Sequence, residues 1–135
     1  MKKPSCGIFA LHAWEIPCVY GAQELSFWRS ALKEHFTELI AQRSIFDFWL
    51  LMDQGLSLCA AEALLSLKQL HPLRLTCVIP FEEQHIHWPE EDRARYFSIF
   101  EHCDQEHLLD YHFAVNCYQK SARLLAEYCT LLFVV

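Results

Sequence analysis

The chain has 135 residues, of which 53% are hydrophobic and 21% charged, and it carries a formal net charge of −6. That length supports one core rather than two, and that composition excludes a disordered chain, with any disorder expected only over Met1–Ser5. The negative balance argues against a nucleic-acid partner, because it repels a polyphosphate backbone and Arg93, Arg95, Lys120 and Arg123 are scattered among acids and form no basic stripe.

The short apolar run Cys6–Leu11 reads as a strand, and Trp14–Tyr20 with Pro17 as a loop. Over Gln23–Gln42, Leu25, Trp28, Leu32, Phe36, Leu39 and Ile40 recur at spacings of three and four, the period of one amphipathic helix. Ile45–Leu51 is apolar except for Asp47, which suits a strand covered on both faces. Ser57 is the expected cap of a helix over Leu58–Leu70 that His71-Pro72 stops, and Leu73–Ile79 is the next buried strand. Pro89 is expected at the first helical position of a helix reaching about His102, with Glu90, Glu91 and Asp92 at its positive end. Gln105–Leu109 reads as a short strand, Phe113 or Asn116 to Tyr128 as the last helix, and Thr130–Val135 as the last strand.

Strict alternation of strands and helices requires right-handed crossovers and a mainly parallel sheet. The expected architecture is therefore α/β: a single three-layer Rossmann-like sandwich over residues 1–135, with about five strands.

No apolar run approaches the roughly 20 residues of a membrane helix, and His12, Trp14 and Glu15 interrupt any secretory core after Lys2 and Lys3. Seven cysteines without a CxxC pair, most inside apolar patterns, look like reduced, buried thiols, so a cytoplasmic setting is expected.

Open α/β sheets bind ligands at the carboxyl ends of their strands, which directs attention to the segments after each strand. Phe81 could stack on a ring, and Glu82 or Gln84 could bond its polar edge; the alternative is a solvated loop. Glu62, in an otherwise apolar and small run, could act as a base or hold a ribose hydroxyl, or could simply answer a helix dipole. His12 follows the first strand where a ligand-facing loop belongs, although a lone histidine more often packs or faces water. His85-x-His87 and the other histidines are a weak zinc signal, so no metal and no cofactor is expected. Cys59 and Cys117 near helix starts lack a base partner. Gly-x-Ser-x-Gly and GxGxxG are both absent.

The stretch AAEALLSLKQLHPLRLTCVIPFEEQHIHWPEEDRARYFSIFEHCD, with PFEEQ followed by W-P-E-E-D and R-Y-F, resembles the YpsA-like branch of the SLOG (SMF/DprA and LOG) superfamily. The likeness is dense over Gly55–Asp104 and thinner over Gly7–Leu51 and Tyr111–Val135. It implies a bacterial Rossmann-like domain with a strand-end pocket for a nucleotide-derived molecule, in a superfamily that includes nucleotide phosphoribohydrolases. Gly-His-Arg-Pro after the first strand of such proteins aligns with Leu11-His12-Ala13-Trp14, keeping the histidine. Their Ser-Gly and Gly-x-Asp after the second strand align with Leu50-Leu51 and Gly55-Leu56-Ser57, keeping Gly55 and losing the acid. Ser121-Ala122 replaces an Arg-Asn pair. Glycines let a phosphate reach backbone N–H groups, so Leu50 and Leu51 are expected to close that room.

Three functions follow in order of expectation. The first is a binding or sensor module for a nucleotide-like ligand that uses His12, Gly55, Glu62, Phe81, Glu82 and Gln84. The second is a degenerate domain that acts in interaction or structure. The third is an N-glycosidic hydrolase, which ranks last because the phosphate turn is missing. An apolar last strand without a further βα unit to cover it also suggests a homodimer.

Overall fold

Strands and helices alternate throughout the computed structural model, which describes residues 3–10 and 22–135. In chain order they are β1 (Ser5–Phe9), α1 (Ala22–Arg43), β2 (Asp47–Leu51), α2 (Leu56–Lys68), β3 (Arg74–Ile79), α3 (Glu90–His102), β4 (Gln105–Leu108), α4 (Cys117–Tyr128) and β5 (Leu131–Val134). The sheet has five strands in the order β4-β3-β2-β1-β5, and every pairing is parallel.

Three successive crossovers move the chain from β1 to β4 in one direction, and the fourth returns it past β1 to β5. A right-handed crossover therefore lays α1, α2 and α3 on one face and α4 on the other. The alternation of side chains along the strands agrees with this. Leu50 and Cys77 belong to the large core beneath α1, α2 and α3, whereas their neighbours Leu51 and Val78 pack with Leu125 of α4 and with Cys129 just beyond its end. A sheet covered on both faces explains why β2 and β3 read as continuous apolar runs. The α/β Rossmann-like sandwich expected from the sequence is the architecture observed.

Two helix starts differ from expectation by one or two residues. Gly55, not Ser57, is the residue preceding α2, with φ 72° and ψ −127°, a conformation that a side chain would strain. Ser57 lies inside the first turn, and its hydroxyl caps nothing. Pro89 precedes α3 in an extended conformation, so Glu90 is the first helical residue.

Gly7 matters for packing in β1. A Cβ there would stand 3.0 Å from Leu132 Cδ2, 3.1 Å from Leu125 Cβ and 3.2 Å from Cys129 Sγ, so the missing side chain is what lets α4 lie close to the sheet. Among the described residues no helix is long and apolar enough to cross a membrane. Of the six described cysteines, Cys103 is partly exposed and the other five are buried.

Candidate functional site

Parallel strands deliver all their carboxyl ends to one edge of the sheet, and the N-termini of α2, α3 and α4 start from that same edge. After β2 the chain continues extended through Met52, whose N–H donates to Val78 O at 2.8 Å, and then reaches Asp53. Leu50 and Leu51 therefore lie within the sheet, Leu50 opposite Ile8 and Cys77, and Leu51 opposite Val78. They do not occupy the turn after β2, as the sequence alignment implied; that turn is Met52–Gly55. The strand runs further than the alignment allowed because both faces of the sheet offer apolar cover.

Asp53 is the acid of this turn, only 5% exposed. Burial pushes its carboxyl up to about 6, against the opposing pull of the Gln54 N–H, which donates to Oδ1 at 2.8 Å. Two residues beyond the Gly55 cap, Ser57 is fully buried, and its Oγ has no hydrogen-bond partner among the described residues.

After β3, the PFEEQ segment folds into successive tight turns, with Gln84 N–H donating to Phe81 O and Ile86 N–H to Glu83 O, each at 3.2 Å. These turns direct Gln84 inward, where it is 5% exposed. Its Nε2 donates to Met52 O at 2.6 Å and to the Tyr118 hydroxyl at 3.3 Å, while its Oε1 is buried without a partner among the described residues. The Met52 carbonyl can only accept, which orients the amide and leaves the oxygen as the open group. Tyr118, in the first turn of α4, has its hydroxyl pKa raised, first by burial and then by the nearby Asp53. Asp53, Gln84 and Tyr118 thus meet where β2, β3 and α4 converge.

An aromatic rim adjoins this cluster. Phe81 meets Phe113 edge-on at 5.4 Å and Tyr118 edge-on at 6.4 Å between ring centroids. Phe113, Tyr111 and Val115 are 63%, 69% and 94% exposed, an unusual concentration of apolar surface in one connection.

The other expected site residues are distributed differently. Glu82 is exposed and joins the rim through its backbone N–H, which donates to Asp110 O at 3.0 Å. Glu62 sits a full turn further along α2 and is gripped by Arg95, with Nη2 to Oε1 at 2.6 Å and Nε to Oε2 at 3.1 Å, while Arg29 approaches Oε1 at 3.5 Å. It ties α1, α2 and α3 together in the helical layer, and no contact joins it to Asp53 or Gln84. His12 lies outside the described residues. His85 packs on Tyr96 and Phe97 at centroid distances of 4.9 and 4.8 Å.

Sequence reasoning missed Asp53, the Ser57 hydroxyl and Tyr118. For Asp53 a signal existed: an acid ending the apolar run Ile45–Met52 directly ahead of Gln54-Gly55 stands at a strand end. Tyr118 gave none, since it reads as one more apolar residue of an amphipathic helix.

A family model described as YspA SLOG family matches residues 19–129 of this chain. The UPF0398 protein BH1768 of Halalkalibacterium halodurans is 33% identical over 82 residues, a match covering 59% of this chain and 42% of that relative. The chain thus spans less than half of the relative it matches. With most of the described domain inside the matched span, this chain belongs to the YpsA family of SLOG proteins.

Proposed function

We propose that this domain is a binding or sensor module for a nucleotide-derived small molecule, seated at the carboxyl ends of β2 and β3. The observation that carries the reading is that two buried oxygens have no hydrogen-bond partner among the described residues, Ser57 Oγ in the first turn of α2 and Gln84 Oε1 in the cluster with Tyr118 and the buried Asp53 carboxyl. Leaving such atoms unsatisfied costs on the order of 1–3 kcal/mol each, and a ligand that bonds to them recovers that cost. The Phe81–Phe113–Tyr118 rim supplies apolar faces on which a planar ring can stack. Family membership supports the placement, because open α/β sheets hold ligands at this edge.

Thermal denaturation with a panel of nucleosides and nucleotides tests the proposal. A member present at 100 times its dissociation constant stabilises the domain by about 2.7 kcal/mol, a shift of several degrees. Gln84→Leu is expected to abolish that shift while the protein stays folded. A panel in which no member shifts the transition overturns the reading.

Exposure of Tyr111, Phe113 and Val115 favours a second reading, an interaction domain that docks a partner through this connection. In that case no ligand shift occurs at any concentration, and Phe113→Ser with Val115→Ser removes the association.

A further inference from the structure

Resting on the proposed strand-end site, we infer that its ligand is a phosphate-free ribonucleoside, held through the ribose diol, and that the site rejects the corresponding nucleotide.

The hydrogen-bonding inventory of the cluster is the first reason. Both contacts made by the Gln84 amide nitrogen are to oxygens, Met52 O and Tyr118 Oη, so the group it leaves open is the acceptor Oε1. Asp53 adds a carboxyl group with one oxygen turned to the Gln54 N–H. Ser57 Oγ can donate or accept. Openings dominated by acceptors call for a ligand rich in donors, and a vicinal diol offers two O–H donors at the spacing of a carboxylate or of a carboxylate and an amide oxygen. An ionised phosphate offers acceptors only, so it cannot take the diol's place against Asp53 and Gln84 Oε1.

The distribution of cations is the second reason. The connection after β1, residues 10–21, contains no lysine or arginine. On the described elements that start from this edge, Arg29 and Arg95 are turned to Glu62, and Lys120 pairs with Asp110 at 3.5 Å. Arg93 is exposed on α3. The acids Glu82, Glu83 and Asp110 and the imidazole of His112, which meets Glu83 Oε1 at 2.6 Å, complete the rim and leave it net acidic.

The N-terminus of α2 is the third. Its free N–H groups would ordinarily welcome a phosphate. Here Asp53 stands two residues ahead of Gly55, in the turn that leads into the helix, so its charge opposes a phosphate approaching that terminus.

Isothermal titration with matched pairs tests the inference: adenosine against adenosine 5′-monophosphate, the guanosine, uridine and cytidine counterparts, and 2′-deoxyadenosine. The expected result is a nucleoside that binds at least tenfold more tightly than its monophosphate and its 2′-deoxy form. Asp53→Asn is expected to narrow the nucleoside-to-nucleotide gap at least threefold, because the opposing charge is gone. Ser57→Ala, which leaves the charge in place, keeps the gap. A monophosphate that binds as tightly as its nucleoside overturns the inference and leaves the proposed function standing. A 2′-deoxynucleoside that binds as tightly as its ribose form overturns the diol contact and with it the inference. If no member binds, the proposed function falls and the inference falls with it.

Discussion

The two ends of the same sheet are built on opposite plans. At the amino-terminal end polar groups are matched to one another. Ser5 and Thr130 exchange four hydrogen bonds: Ser5 N–H to Thr130 Oγ1 at 2.9 Å, Thr130 N–H to both Ser5 Oγ and Ser5 O at 3.2 Å, and Thr130 Oγ1 to Ser5 O at 2.9 Å. Asp104 accepts the Leu75 N–H at 2.9 Å and pairs with Lys68, and Arg74 donates to Gln105 at 2.8 Å. At the carboxyl end, the Ser57 hydroxyl and the Gln84 amide oxygen are buried without a partner among the described residues, Asp53 is buried as well, and aromatic rings are exposed. Both ends come from the same chain and the same strands, so the difference is not one of composition. It teaches that one end ties the fold together while the other gives up stability by leaving polar groups unmatched, which is the end at which the proposed ligand is seated.

The two acids that mark these ends should respond to pH in opposite directions, and this gives the largest expected effect. Asp53 has a folded-state pKa raised from 3.8 to about 6, so the native state holds its proton more tightly than the unfolded chain does. Its contribution to stability is therefore greatest below the unfolded value and is lost as pH rises through about 6. Asp53→Asn should remove that loss and stabilise the protein at pH 7.5 by on the order of 2–3 kcal/mol, since each pKa unit corresponds to about 1.4 kcal/mol. Urea titrations at pH 4.5 and 7.5 check it: the variant's gain should shrink at the lower pH. A variant less stable than wild type at pH 7.5 would mean that Asp53 is structurally paired and the contrast between the ends is wrong.

Asp104 should behave in the reverse sense. Burial on its own would raise its pKa, but the Lys68 hydrogen bond, the Leu75 N–H and the charges of Lys68 and Arg74 together lower it. Its contribution is present above the unfolded value and fades as pH falls through the folded one. Asp104→Ala should cost about 1–2 kcal/mol at neutral pH, read as a lower urea midpoint, because it strands the Leu75 N–H and Lys68.

Next in size is Glu62→Gln, which should cost about 1 kcal/mol by loosening the Arg95 clamp, less at high salt, and should leave any ligand-induced shift unchanged. Loss of the ligand shift in this variant would extend the site into the helical layer. The smallest effect belongs to Ser57→Ala. Removing an unpartnered buried hydroxyl should change stability by less than about 1 kcal/mol, in the stabilising direction, while weakening ligand binding. A clear destabilisation in the denaturant midpoint would show that Ser57 Oγ is bonded after all.

Much of the fold was legible because it rests on periodicity. The spacing of Leu25, Trp28, Leu32, Phe36 and Leu39 marks α1, and the apolar runs around Leu50 and Leu75 mark strands buried on both faces. Of the proposed site, Phe81 and Gln84 could be read from the sequence because a residue after a strand end has a physical reason to face a ligand, and the structure places both against Tyr118. Glu62 was chosen as a carboxylate early in the helix that follows β2, yet two arginines of neighbouring helices, 33 positions away on either side, decide what it touches. Asp53 was passed over because the alignment ended β2 too early and sought the acid after Gly55.

By itself the sequence determined the α/β class, the parallel sheet, the order of elements and the family, since these follow from local periodicity, turn chemistry and a specific run of residues. Only the tertiary structure decided which polar groups meet. Asp53, Gln84 and Tyr118 lie 31 and 34 residues apart in succession and converge only after β2, β3 and α4 have been brought side by side. Whether a buried oxygen finds a partner depends on distances of a few ångströms across that convergence, and no period along the chain encodes it.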